Sequence, residues 1–214
     1  MSNGLSDQTV SDVGEHALIK RIQKRVDHSF PSVILGIGDD AAVIEPKRGT
    51  VSVITTDTLV EGVHFDRSWT SMNAIGHKAL AVSLSDLAAM GATPSHVLLS
   101  LALPDTTLLK EVDDIVEGLL ILAARYKTAL VGGNITGSKE DLHIEVTAVG
   151  NVKRRRILRR TGAQPGDNLY VTGEVGSAAA GLASLQTPET GYSSGAGIRD
   201  CQHRYLCPEP RVRL

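Results

Sequence analysis

The sequence predicts an α+β fold: a mixed, mostly antiparallel sheet with helices on one face, followed by part of a second α/β domain. Three observations carry this. Short β-branched runs bounded by Gly, Asp or Pro come in clusters, not in strict alternation with helices. Two long stretches, Met72 to Met90 and Asp105 to Lys127, have helical character. In "DLHIEVTAVGNV", Leu142, Ile144, Val146 and Ala148 alternate with polar or small residues, which marks a strand with one face on a core.

In order along the chain, "GEHALIKRIQKRV" places Leu18, Ile19, Ile22 and Val26 at helical spacing after a polar, mobile start. "SVILGI", "AAVIEP" and "TVSVITTDTLV" read as strands. "MNAIGHKALAVSLSDLAAM" reads as a buried helix stopped by Gly91. "SHVLLSLALP" is a strand closed by Pro104, and "DTTLLKEVDDIVEGLLILAARYK" is a helix with an Asp/Thr cap and Leu108, Val112, Ile115, Leu119 and Leu122 on one face. "TALVGG" is a short buried strand, and the strand at 141–152 follows. After it, "GAQPGDNLYVTGEVGSAAAGLASL" predicts a turn, a strand, a Gly turn and a small-residue helix. The boundary falls near Gly162, giving a first domain over 1–161 and the start of a second over 162–214. The stretch beyond Gln186 shows no clear period.

With 214 residues, 42% of them hydrophobic and 21% charged, the chain can bury a core, and wholesale disorder is excluded. Two Phe and one Trp leave that core to Val, Ile, Leu and Ala. A net charge of -2 gives no general reason for nucleic-acid or membrane binding. No apolar run approaches the ~18 residues of a spanning helix, and the start lacks a signal-peptide core, so a cytoplasmic location is expected. Cys201 and Cys207 argue against a disulfide framework, and with His203 they form an incomplete zinc set.

The chemistry concentrates in aspartates. Asp39 and Asp40 are neighbours in "GIGDDAAVIEP", and adjacent carboxylates repel unless water or a cation separates them. Asp57 stands in "ITTDTLVEGVHF" beside the hydroxyls of Thr55, Thr56 and Thr58. In the helix, Ile75, Ala79, Val82 and Asp86 follow steps of four, three and four, which puts Asp86 on an apolar stripe. A buried ionised carboxylate must meet a cation, a metal or several donors. Ordinary turn and cap roles are the competing reading for each aspartate alone. Hard oxygen ligands without a tight His pair favour magnesium over zinc, and magnesium held by scattered carboxylates completes its shell with water and phosphates.

"GGNITGSK" is not a P-loop: Ser138 precedes Lys139, and a turn and strand follow in place of a long helix. Its glycines can still bring backbone N–H groups to phosphate oxygens. "KRRRILRR", Lys153 to Arg160, lacks the interleaved aromatics of a nucleic-acid surface, which leaves a solvated linker or Arg clamps on nucleotide phosphate. His64 is either a surface histidine or a substrate contact near Asp57.

Taken together, "GIGDDAAV", "TTDTLVEGVHF", "HKALAVSLSDLAAMGATP", "VGGNITGS" and "RRTGAQPGDNLYVTGEVGSAAAGL", in this order, resemble bacterial thiamine-monophosphate kinases, of the aminoimidazole ribonucleotide synthetase and selenophosphate synthetase superfamily. The resemblance runs from about Gly14 to Leu185, with a weaker echo in "RYLCPEPRV". It implies the first domain of that superfamily's fold and ATP-dependent phosphorylation of thiamine monophosphate to thiamine diphosphate, at a site shared across a homodimer. By motif it implies Asp40, Thr55, Thr56, Asp57, Asp86 and Asn134 as the magnesium set, with Asp39 in support. It further implies His64 as a substrate contact, and Gly133, Asn134 and Arg160 on ATP. Many relatives carry Asp where Asn134 stands; Asn keeps an oxygen ligand and removes one negative charge. The family also continues for about another hundred residues, the size of one domain. A non-catalytic nucleotide- and metal-binding fragment and a superfamily member with another phosphate acceptor are the alternatives.

Overall fold

The structure is a computed structural model, and it describes residues 8–187 and 195–212. The polar start read as mobile lies outside the described residues. Two helices, α1 (Val10–Val13) and α2 (Glu15–Gln23), lead into a hairpin of β1 (Val33–Leu35) and β2 (Val43–Ile44). Then come β3 (Val51–Val60), α3 (Met72–Ala89), β4 (Thr93–Pro104), α4 (Leu109–Arg125), β5 (Ala129–Ser138) and β6 (His143–Val152). A 3-10 turn at Arg154–Arg156 precedes α5 (Ser177–Gln186) and α6 (Ala196–Leu206).

The main sheet has the order β3-β6-β4-β5; β6 pairs antiparallel with β3 and β4, while β4 and β5 run parallel. Alternation along each strand sends Leu59, Val97, Leu99, Leu101, Leu103, Ile144, Val146 and Ala148 into one buried cluster with α3 and α4. The other face carries Ile54, Thr56, Thr58, Leu98, Glu145 and Thr147, and Ile54 is 66% exposed there. Both helices thus cover one face, as the sequence predicts, and leave the other open.

Glycine lets the two helices meet closely. A Cβ on Gly76 would lie 1.9 Å from the Ile115 carbonyl oxygen, and one on Gly118 would lie 1.9 Å from that of Asn73. Each helix therefore lays its backbone into the gap left by the other's missing side chain. Ile75, Leu80, Leu84 and Leu87 of α3 are fully buried, as are Ile115 and Leu119 of α4.

Four elements depart from expectation. Helix α4 begins at Leu109, not at an Asp/Thr cap, because Thr107 and Leu109 are held by backbone bonds with Val10 and Gln8, and Glu111 accepts the Leu108 N–H at 2.9 Å. Strand β5 runs on through "NITGS", where a turn was expected, because register with Ser100 to Pro104 of β4 holds it extended. The strand expected around "NLYVTG" is absent: Leu169 is 96% exposed and Tyr170 89%, with no described strand beside them to pair with. Helix α6 lies where no period was evident; its polar helix packs on α5.

Gly76→Ala is expected to lower unfolding free energy by about 1–3 kcal/mol, the usual cost of forcing atoms into a packed core. Chemical denaturation checks this; an unchanged midpoint would mean that the α3–α4 approach is not tight.

Candidate functional site

Strand β3 supplies the first half of the site through its alternation. Thr55 and Asp57 face α3, whereas Thr56 and Thr58 face the open side. Helix α3 presents Ser83 and Asp86 to the same side chains. The Thr55 hydroxyl donates to Asp86 Oδ2 at 2.7 Å, and the Ser83 hydroxyl donates to Asp57 Oδ2 at 3.2 Å and to the Val146 carbonyl at 3.1 Å. Ser83 is fully buried, so a mid-helix serine that sequence reading passed over ties α3, β3 and β6 together at this point.

Asp86, expected to be buried on the apolar stripe of α3, is instead exposed because α3 turns this position past the edge of its packed face, while Asp57 is half-buried; the two carry like charge within electrostatic reach. Burial first, and then the Asp86 charge, push the Asp57 carboxyl above its ordinary value, against the Ser83 hydrogen bond and the neighbouring His64. Neither carboxylate has a Lys or Arg partner among the described residues. Two hard carboxylates with a hydroxyl beside them and no cation of the chain to neutralise them form a donor set that fits a divalent ion such as magnesium. They are a partial shell: no group of three or more His, Cys, Asp or Glu side chains stands at metal-holding spacing among the described residues.

His64 follows β3 in a tight loop. Its Nδ1 accepts the Val60 N–H at 3.1 Å, its own N–H reaches the Val60 carbonyl at 2.9 Å, and its carbonyl accepts Lys78 Nζ at 2.9 Å. The proton of the neutral imidazole is thereby left to Nε2.

The remaining predicted residues lie elsewhere. Asp39, Asp40, Gly133 and Asn134 line a cavity of about 870 Å³ shared by the 36–42 loop, α2, β4 and β5. Asp39 Oδ1 accepts the Asp40 N–H at 2.9 Å, a contact within the doublet. Gly133 has φ 156°, and a Cβ there would lie 1.8 Å from the Leu99 carbonyl, so only glycine lets β5 run this close to β4. His96, which sequence reading missed, lines the same cavity and is buried; its Nε2 lies 2.9 Å from the Ser32 hydroxyl and burial lowers its pKa.

Strand order sets the two groups apart. β3 and β5 are opposite edges, three strand spacings or roughly 14 Å from each other. Asn134, in register with Ser100, faces the open side, while Asp57 faces the helices. Thr56 turns away from Asp57 and sits 3.1 Å from the Thr147 hydroxyl. Arg160 is exposed after β6, with no ion pair among the described residues. One chain therefore joins Thr55, Asp57 and Asp86, with His64 nearby, and separately joins Asp39, Asp40, Gly133 and Asn134.

Among the described residues both cysteines are free, and no helix is long and apolar enough to cross a membrane.

Residues 38–152 match the model of the family "AIR synthase related protein, N-terminal domain". The thiamine-monophosphate kinase of Bacillus subtilis (strain 168) is 40% identical over 200 residues, which cover 94% of this chain and 61% of that protein. A crystal structure of thiamine-monophosphate kinase from Stenotrophomonas maltophilia K279a superposes with a TM-score of 0.80 at 40% identity, covering 93% of this chain and 62% of that one. AaThiL, solved in complex with AMPPCP and TMP, superposes with a TM-score of 0.71 at 34% identity, covering 96% and 62%. The chain thus spans about three fifths of the relatives it matches. The matched domain contains the sheet, both covering helices and every site residue discussed above except Arg160, and the chain belongs to the AIR synthase-related family.

Proposed function

We propose that this chain is the nucleotide- and magnesium-binding part of an enzyme that phosphorylates thiamine monophosphate to thiamine diphosphate with ATP. The observation that carries the reading is the Asp57–Asp86 pair, set near each other by β3 and α3 without a Lys or Arg partner among the described residues. Similarity to thiamine-monophosphate kinases and to AaThiL, solved with AMPPCP and TMP, supports the choice of substrates.

Asp57 and Asp86 hold magnesium, with Thr55 fixing the Asp86 carboxylate. Bound there, magnesium supplies neutralisation of charge on the phosphate being transferred. The glycine-paired backbone at Gly133 and the amide oxygen of Asn134 serve the nucleotide side with Asp40, and Arg160 reaches phosphate. His64 contacts the acceptor. Since the acceptor is itself a phosphate monoester, largely ionised near neutral pH, no strong general base is required. In-line alignment of two anions is the task, which suits a site with carboxylates and no nucleophile–base pair.

The separation of the two residue groups supports a homodimer. Packing the open faces of two sheets would bury Ile54 and Leu98 and place Asn134 of one copy against the sheet of the other. A second reading, binding of nucleotide and magnesium without turnover, is favoured by the exposed apolar run at 169–171, which has no described strand beside it.

Incubation with ATP, magnesium and thiamine monophosphate is expected to give thiamine diphosphate, read by chromatography. Calorimetric nucleotide binding without product would select the second reading, and neither binding nor product would overturn both. Asp57 also sets a pH-dependent sign. Its folded value lies above 3.8, so the folded state takes up a proton more readily; the cost of its charge is absent below that value and fully present at neutral pH. Without divalent ions at pH 7, Asp57→Asn should raise the thermal midpoint, read by a melting curve. Magnesium should raise the midpoint of the wild type and not of the variant.

A further inference from the structure

The loop that carries His64 is held from outside its own strand. The His64 carbonyl accepts two hydrogen bonds, one from Lys78 Nζ at 2.9 Å and one from the Tyr205 hydroxyl at 3.1 Å. Lys78 Nζ also lies 3.7 Å from the centroid of the Tyr205 ring, a cation–π distance, and Trp69 packs on the same ring at 6.0 Å. Two donors thus meet on one carbonyl oxygen, with Trp69 backing the Tyr205 ring. Lys78 lies on α3 inside the matched domain, while Tyr205 lies on α6, beyond residue 152 where the family match ends.

Lys78 has no carboxylate partner among the described residues, and burial brings its pKa down to about 8. A lysine that loses solvation without gaining an ion pair is costly to keep for folding alone. What it gains is the His64 carbonyl and an aromatic face. On the other side of the same loop the imidazole is fastened to the Val60 amide through Nδ1. With the backbone fixed at its carbonyl and the ring fixed at Nδ1, the imidazole has one direction left for Nε2–H.

We propose that Lys78 and Tyr205 are positioning residues for His64: they clamp its carbonyl and so aim its imidazole at the phosphate acceptor, which makes α6 part of the acceptor site. The clamp also continues into the following segment. The Pro208 carbonyl lies 3.0 Å from His77 Nε2, and Arg125 and Tyr126 at the end of α4 bind Glu209. Residues 205–210 therefore lie as a strap across the ends of α3 and α4, with Tyr205 at the end nearest His64. The assignment of His64 to the acceptor rests on the function proposed above; the clamp itself does not.

The test uses the whole chain with Tyr205→Phe, which keeps the ring and removes one oxygen, together with Lys78→Met and Lys78→Arg. Nitrogen-15 NMR of the His64 imidazole reads the tautomer, and hydrogen exchange reads the Val60 amide. The wild type should show the proton on Nε2 and a protected Val60 amide. Lys78→Met and Tyr205→Phe should give mixed tautomers and faster Val60 exchange, with thiamine monophosphate binding weakened by about tenfold in Lys78→Met, the loss expected for a charge-assisted hydrogen bond. Lys78→Arg should restore most of the wild-type signals. Wild-type tautomer and Val60 protection in Tyr205→Phe and in folded Lys78→Met would overturn the clamp. Altered His64 signals in a protein that never binds thiamine monophosphate would uphold the clamp and sink the acceptor reading, so the two failures are distinguishable.

Discussion

The constraint on which the site depends is the meeting of Asp57 and Asp86 across the packing of α3 on β3. The helix is held there by its buried leucines and by the Ser83 hydroxyl, which bridges Asp57 and the β6 backbone. Bringing two carboxylates together in a partly buried place raises the energy of the ionised state, and burial and the Asp86 charge act on Asp57 in that same direction. Folding places this electrostatic cost in a defined position, where a proton or an external cation can relieve it. The rest of the domain acts as the frame that keeps the pair from relaxing apart.

That frame is one-sided. The glycine contact between α3 and α4 lets both helices lie close together on a single face of the sheet, and the opposite face is left with a mixed polar and apolar surface. The strand order then fixes where chemistry can occur. Asp57 stands on one edge strand and Asn134 on the other, with opposite orientations, so no side-chain motion within one chain unites them. In the proposed reading a second copy covers the open face and its exposed Ile54 and Leu98. The strap at 205–210 adds a third contribution, since it reaches the His64 loop from outside the matched domain.

Much of this was legible in the sequence where the signal is local. The alternation of β6 and the apolar stripe of α4 each depend on residues a few positions apart, and the structure has both; of the α3 stripe, Ile75 and Ala79 are buried while Asp86 at its far end is exposed. Strand β5 was cut short because "GGNITGS" has turn composition; what extends it is register with β4, a non-local bond pattern. The "NLYVTG" strand has the right composition and lacks a described partner to pair with, and pairing is what makes a strand. The aspartates were legible as a set of carboxylates, and their division into two groups was not, because it follows from strand order. Alternation alone does separate Thr55 from Thr56, whose hydroxyls reach Asp86 and Thr147 respectively. Lys78 and Tyr205 carried no motif, and Tyr205 meets a residue 141 positions away.

The central claim is that Asp57 and Asp86 hold a divalent cation together. Manganese is a substitute for magnesium that can be located directly by anomalous X-ray scattering. Crystals of the protein grown with manganese and a non-hydrolysable ATP analogue should show an anomalous peak within oxygen-ligand distance of both carboxylates, roughly 2.0–2.6 Å for such hard cations. A nucleotide-bound structure with no peak at that pair, or with the ion held only at Asp40 and Asn134, would contradict the account.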